Sequence, residues 1–143
     1  MVVWRICRAP FADLSGDGAR FYGGRWNSPG RSLVYAAESA ALAVLEVRVH
    51  LDLDWSLLPD DYVLMAIDVA TIAPEVLIDT PADPRAVGDA WLASRRSALL
   101  RVPSLIVRES ANVLVNVAHP DAARVSVASV RPFAFDSRLW GSR

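Results

Sequence analysis

Apolar positions along this chain change their spacing several times, and each change marks the edge of an element. Residues 2–7, VVWRIC, are an apolar run with Arg5 set inside it. They predict an opening strand, with Arg5 pointing to water if that strand lies at a sheet edge. The pattern then lapses over 10–22, where Pro10, Gly16 and Gly18 mix with Asp13 and Asp17. That composition predicts a loop running into Gly23-Gly24. Pro29-Gly30 marks a turn, and Leu33-Val34-Tyr35-Ala36 reads as a short strand. After Ser39, a suitable N-cap, Ala41, Leu42, Val44, Leu45 and Val49 recur at helical spacing on one broad face.

The second half is punctuated by proline. A polar connection from Asp52 to Asp61, broken by Leu57-Leu58, precedes a strand at 62–69 with Val63, Met65 and Ile67 on one side. Pro74, Pro81 and Pro84 leave room only for a short strand at 76–78. A helix is predicted from Pro84 to about Leu99, with Trp91 in the core. Strands follow at 104–107, 113–115 and 125–130, the last two separated by the turn cluster Asn116 to Asp121. The tail after Phe135 is polar apart from Leu139-Trp140, and is expected either to fray or to dock on a partner. The pattern predicts an α+β fold, one domain over 1–143 with its core at about 4–133, rich in strands and without strict βαβ alternation.

Composition narrows the function classes. With 143 residues, 53% hydrophobic and 22% charged, the chain suits a compact globule. A formal charge of −1 argues against direct nucleic-acid binding. No apolar run approaches the roughly 18 residues of a membrane span, and the N-terminus lacks a signal-peptide pattern. Cys7 is the only cysteine, so no internal disulfide forms, and a reducing, cytoplasmic setting is expected. No metal is expected either, because Cys7, His50 and His119 are far apart and in no ligand spacing. All 15 basic residues are arginine, which excludes a lysine Schiff base and a P-loop of the usual kind.

What remains is a set of polar residues that packing alone does not require. Arg25 follows two glycines, where the backbone can approach a ligand closely, and its planar fork matches phosphate or a ribose diol. Tyr35 offers a flat face for stacking on a heterocycle. Glu46 borders the apolar face of its helix, and a partly desolvated carboxylate is suited to stabilising positive charge during glycosidic cleavage. Ser104 completes the set. The plainer reading stays open beside it: a surface arginine paired with a helix glutamate. Trp26 either lines a pocket or closes its loop onto the core, and Asn27 and His119 read as turn residues as readily as ligand contacts.

The segment FYGGRWNSPGRSLVYAAESAALAVLE resembles the signature of the RES-domain family, named for its arginine, glutamate and serine. WRI at 4–6, GGRWN, VYAAES, the helix ending in LE, VPS at 102–104 and NVAHPD at 116–121 follow the family's order. One departure is Val117, where the family pattern has proline. The resemblance places the family's arginine, tyrosine, glutamate and serine on Arg25, Tyr35, Glu46 and Ser104, as catalytic residues. Arg5, Trp26, Asn27, Asn116 and His119 join Arg25 and Tyr35 as expected contacts to NAD. It implies a fold similar to ADP-ribosyltransferases, with NAD as substrate. It also implies a toxin of a type II toxin–antitoxin system that cleaves the nicotinamide–ribose bond by hydrolysis or phosphorolysis. The alternative within the family is ADP-ribosyl transfer to a protein. The alternative of another class is a non-catalytic module that binds a nucleotide or an antitoxin. The implied partner is a helix-turn-helix (Xre-like) antitoxin, and a homodimer is a family expectation.

Overall fold

The computed structural model describes residues 1–141. Seven strands form one sheet: β1 Val2–Arg8, β2 Val34–Ala37, β3 Tyr62–Asp68, β4 Glu75–Val76, β5 Leu99–Pro103, β6 Ala111–Val115 and β7 Ser126–Pro132. Their spatial order is β4-β5-β6-β2-β1-β3-β7, and every neighbouring pair is antiparallel except β4 with β5. Three α-helices accompany it: α1 Asp17–Tyr22, α2 Ala40–Arg48 and α3 Pro84–Ser94. The α+β class and its strand-rich core are as the sequence predicts.

The registers show which side chains share a face. Tyr35 pairs with Leu114 and Ala37 with Asn112, so all four project to one side of the sheet. Over Tyr35 and Leu114 packs α3, through Trp91 and Leu92. Over Ala37 and Ile6 packs α2, through Leu42 and Ala43. The two helices therefore cover one face side by side. On the opposite face Val34, Ala36, Val113 and Val115 join Val3, Met65, Ile67 and Leu99 in a second apolar layer. Trp91 is fully buried, as expected.

Helix α2 begins where predicted: Ser39 is extended and its side chain accepts a hydrogen bond from the Leu42 amide. Its apolar face is narrower than the spacing suggests, because Ala41 and Val49 are exposed. Three other stretches differ from the sequence reading. The 10–22 segment is not all loop, since the chain makes a 3-10 turn at Ala9–Phe11 and then α1. There the Asp13 carboxylate takes the Ser15 amide and hydroxyl, and Ser15 Oγ takes the Asp17 amide, which starts the helix despite Gly16 and Gly18. Helix α3 stops at Ser94 with Arg95 in the left-handed conformation, so Leu99-Leu100 open a strand instead of closing a helix. The strand expected at 104–107 is accordingly β5, at 99–103. Ser104 Oγ accepts from the amides of Ile106 and Val107 and turns the chain immediately after Pro103.

Arg5 is not on an edge, because β1 lies between β2 and β3. The tail also has a place on its own chain. Trp140 stacks edge-on against Phe135, takes the Arg48 guanidinium over its ring at 4.0 Å, and donates from Nε1 to the Leu53 carbonyl. Positions 142 and 143 of that tail lie outside the described residues.

Candidate active site

Gly23 to Asn27 form a tight reversal: the Gly24 amide donates to the Asn27 carbonyl, putting Arg25 and Trp26 at the tip. Gly23 has φ 71°, a conformation that L side chains rarely adopt. Gly24 answers a different constraint. A Cβ there would stand 2.6 Å from the Tyr35 hydroxyl, so only glycine lets the loop rest on the tyrosine.

That hydroxyl organises the loop. It accepts from the Trp26 amide at 2.9 Å and donates to Asn27 Oδ1 at 2.6 Å. Burial raises the Tyr35 hydroxyl to about 12, against the hydrogen bond from Trp26 and the charges of Arg85 and Arg25. It therefore stays protonated and keeps donating at neutral pH. Asn27 is fully buried, and its amide group donates to the carbonyls of Ala19, Ser28 and Arg31. Its side chain thus ties the loop to α1 and to Tyr35 on β2.

Helix α3 clamps the loop from outside. A Cβ on Gly88 would land on the Trp26 carbonyl, so the helix backbone lies directly on the loop backbone. Asp89, one residue on, accepts from the Ser28 amide and hydroxyl. Although burial raises its pKa, these two bonds and the charges of Arg31 and Arg85 hold the carboxyl below its ordinary range. Arg85, on the first turn of α3, donates from Nε and Nη2 to the Gly24 carbonyl.

Glu46 is held by different means. Its Oε1 accepts from Ser104 Oγ at 2.7 Å and from Asn112 Nδ2 at 2.8 Å. Ser104 comes from the turn after β5 and Asn112 from β6, so the carboxylate of α2 is tied to the sheet at two points. Oε2 has no hydrogen-bond partner among the described residues.

Between the two assemblies lies a cavity of about 690 Å³. Arg5, Arg25, Trp26, Tyr35 and Glu46, all named from the sequence, line it. Arg25 is exposed, and its guanidinium makes no hydrogen bond or ion pair among the described residues. Ser104 lies behind Glu46 at 1% exposure and does not line the cavity, so it acts on the carboxylate. Asn27, Asn116 and His119, expected as NAD contacts, do not line it either. Asn116 is buried and bridges the Leu92 carbonyl to the Ala118 amide. His119 Nδ1 accepts the Asp121 amide and caps the 3-10 turn that follows. Arg85, His50 and Asn112 also line the cavity, and sequence reasoning missed them as site residues. Only Asn112 had a usable signal: it stands two residues before the apolar Leu114, on the strand that pairs with Tyr35.

Comparisons with known proteins bear on the family and the fold. A sequence profile of the RES domain matches residues 2–136. A Sphingobium protein described as "Prs ADP-ribosylating toxin" is 43% identical over 141 residues, covering 89% of this chain and 86% of its own length. "Toxin Res" of Pseudomonas putida is 36% identical over 148 residues, covering 98% and 100%. The fold also matches a chain in the crystal structure of the M. tuberculosis MbcT-MbcA toxin-antitoxin complex, with a TM-score of 0.74 at 23% identity. That match covers 93% of this chain and 84% of the other, and at such identity it is a likeness of fold. The profile spans nearly the whole sequence and both relatives align over most of their own length: the chain belongs to the RES-domain family of toxins.

Proposed function

We propose that this toxin cleaves the nicotinamide–ribose bond of NAD at the Glu46 cavity. The observation that carries this reading is the Glu46 carboxylate itself. Among the described residues two donors fix Oε1 and none reaches Oε2, and the surrounding wall carries Arg5, Arg25 and Arg85. A cavity of this size is within the usual range for a small-molecule site.

In NAD the nicotinamide ring carries the positive charge. As the glycosidic bond lengthens, its electron pair leaves with the ring nitrogen, and the charge passes to the ribose as an oxocarbenium-like cation. A carboxylate already fixed in place lowers the energy of that charge without having to reorganise. Glu46 does this, Ser104 and Asn112 hold it in position, and the arginines bind the diphosphate. The acceptor then attacks the anomeric carbon and gives up its proton. Water yields ADP-ribose, and inorganic phosphate yields the corresponding phosphorylated sugar.

A second reading keeps the bond cleavage and changes the acceptor to a protein side chain. The 43%-identical relative described as an ADP-ribosylating toxin favours it. An antitoxin partner of the helix-turn-helix (Xre-like) type belongs to either reading. The fold's occurrence in a toxin-antitoxin complex supports an antitoxin partner of some kind, and the near-neutral charge of this chain leaves DNA contact to the antitoxin.

The test is NAD consumption by the purified, antitoxin-free protein with and without phosphate, beside Glu46→Gln. Loss of NAD in the unmodified protein alone supports cleavage, and its phosphate dependence sorts hydrolysis from phosphorolysis. If NAD survives, transfer of labelled ADP-ribose to protein is tested next. Failure of both overturns the enzymatic reading in favour of a binding module.

A further inference from the structure

The hollow beside Glu46 does not end at Arg5. A second one, of about 330 Å³, lies against it, and Arg5, Gly23 and Tyr35 belong to both. These three residues form a wall common to the two lobes, and Arg5 is the cation in it. Arg5 is pinned there, because Nη1 donates to the carbonyls of Phe11 at 2.9 Å and Asp13 at 3.1 Å. Its Nε and Nη2 have no hydrogen-bond partner among the described residues.

The lobes differ in chemistry. The first has the Glu46 carboxylate in its wall; the described wall of the second has no carboxylate. In its place are the aromatic rings of Phe11 and Tyr22, the apolar side chains of Ala19 and Leu33, and the Cys7 thiol. Burial pushes that thiol above its ordinary pKa, against the nearby Arg5 charge, so the wall stays uncharged there. Tyr22 is 77% exposed and Phe11 also reaches solvent, an aromatic rim on an otherwise polar segment. At Gly18 the wall is open. An added Cβ would meet only Phe11 Cδ1 at 3.7 Å, so a longer side chain there would enter the lobe.

We propose that the second lobe is the subsite for the adenosine half of the dinucleotide, with the diphosphate crossing at Arg5 and the nicotinamide riboside beside Glu46. The inference rests on the cleavage reading above for the direction of the molecule. The reacting sugar must sit at the carboxylate, and the doubly anionic centre of the dinucleotide belongs at the pinned cation. The remaining end is a flat heteroaromatic base, which aromatic and apolar walls accept by stacking. The second lobe thus reads the half of the substrate that does not react, and uses it to hold the reacting half in place.

The experiment compares NAD with nicotinamide mononucleotide, which lacks the adenosine half, as substrates of the unmodified protein, Gly18→Leu and Tyr22→Ala. Binding of AMP to each protein is measured by calorimetry, and thermal melting confirms folding. The unmodified protein should favour NAD in kcat/KM by at least about tenfold. Gly18→Leu should move that ratio toward parity, by raising KM for NAD, and should weaken AMP binding by a similar factor. Tyr22→Ala should shift both in the same direction by less. An unchanged NAD preference and unchanged AMP affinity in both variants overturn the subsite even if NAD is cleaved. AMP binding that Gly18→Leu abolishes, in a protein that neither consumes NAD nor transfers ADP-ribose, supports the subsite and overturns the cleavage reading instead. Should Gly18→Leu fail to fold, Tyr22→Ala decides alone, since its side chain is largely outside the core.

Discussion

The two walls of the Glu46 cavity are held in place by different physics. The Arg25 wall is built backbone on backbone: Gly88 of α3 lies against the Trp26 carbonyl, Gly24 rests on the Tyr35 hydroxyl, and Asn27 ties three carbonyls together. The Glu46 wall is a helix side chain aimed by two hydrogen bonds from the sheet. On the first wall, position and stability are the same property, because any change that moves the arginine also opens buried backbone. On the second they separate. The carboxylate can lose its charge or a donor while α2 stays packed through Leu42 and Ala43.

The sharpest use of that contrast is Glu46→Gln. The amide keeps an oxygen for Ser104 and Asn112 and removes only the charge. Turnover should fall by about a hundredfold to a thousandfold, with thermal melting almost unmoved. A large drop in melting temperature would mean that Glu46 is structural and would erase the contrast. Gly88→Ala is the mirror experiment. Its methyl group must push α3 off the loop, costing about 3 kcal/mol, and melting should fall by about 10 °C. Activity should decline together with stability. Ser104→Ala removes one of two donors on Oε1. It should lower kcat by about tenfold with KM little changed, and because Oγ also accepts from the Ile106 and Val107 amides, it should lower the melting temperature by a few degrees without unfolding the protein. An equal rise in KM would move Ser104 from positioning the carboxylate to holding substrate. The smallest effect is a pH response. The Tyr35 hydroxyl has an ordinary value of 10.0 and sits at about 12 in the folded protein. A raised acid of this kind contributes fully below pH 10, and the contribution is lost as pH climbs through 12. The unmodified protein should therefore lose stability across that window relative to Tyr35→Phe, read by denaturant melts at stepped pH.

Sequence reading found the loop, Tyr35, Glu46 and the Ser39 cap because each depends on short-range rules: glycines where a side chain cannot fit, a capping hydroxyl, an acid beside an apolar stripe. What it missed came through tertiary contact or through one side chain redirecting the backbone. Leu105-Ile106-Val107 has strand composition, but Ser104 Oγ draws two of its amides into a turn. Gly18 disguised α1, whose start is secured by Asp13 and Ser15 upstream of it. Arg85 and His50 carry no local pattern that distinguishes them from ordinary helix and loop residues, and Asn112, remote in sequence from the glutamate, is marked only by its place two residues before Leu114. Asn116 and His119 are polar residues in a turn, as binding residues often are, but their side chains are committed to the Ala118 and Asp121 amides.

Strand order has a consequence for when this toxin becomes dangerous during its own synthesis. Tyr35 rides on β2, which meets β1 only at Trp4 and Ala37, while all of its residues pair with β6 at Asn112 to Val115. The tyrosine that carries the Arg25 loop therefore has no secure seat until β6 has left the ribosome, and the same strand brings Asn112 to Glu46. At about 5–20 residues per second, the arginine and glutamate exist as unassembled chain for several seconds after they are made. The cavity is therefore incomplete for most of the chain's translation, and it closes only as β6 takes its place beside β2.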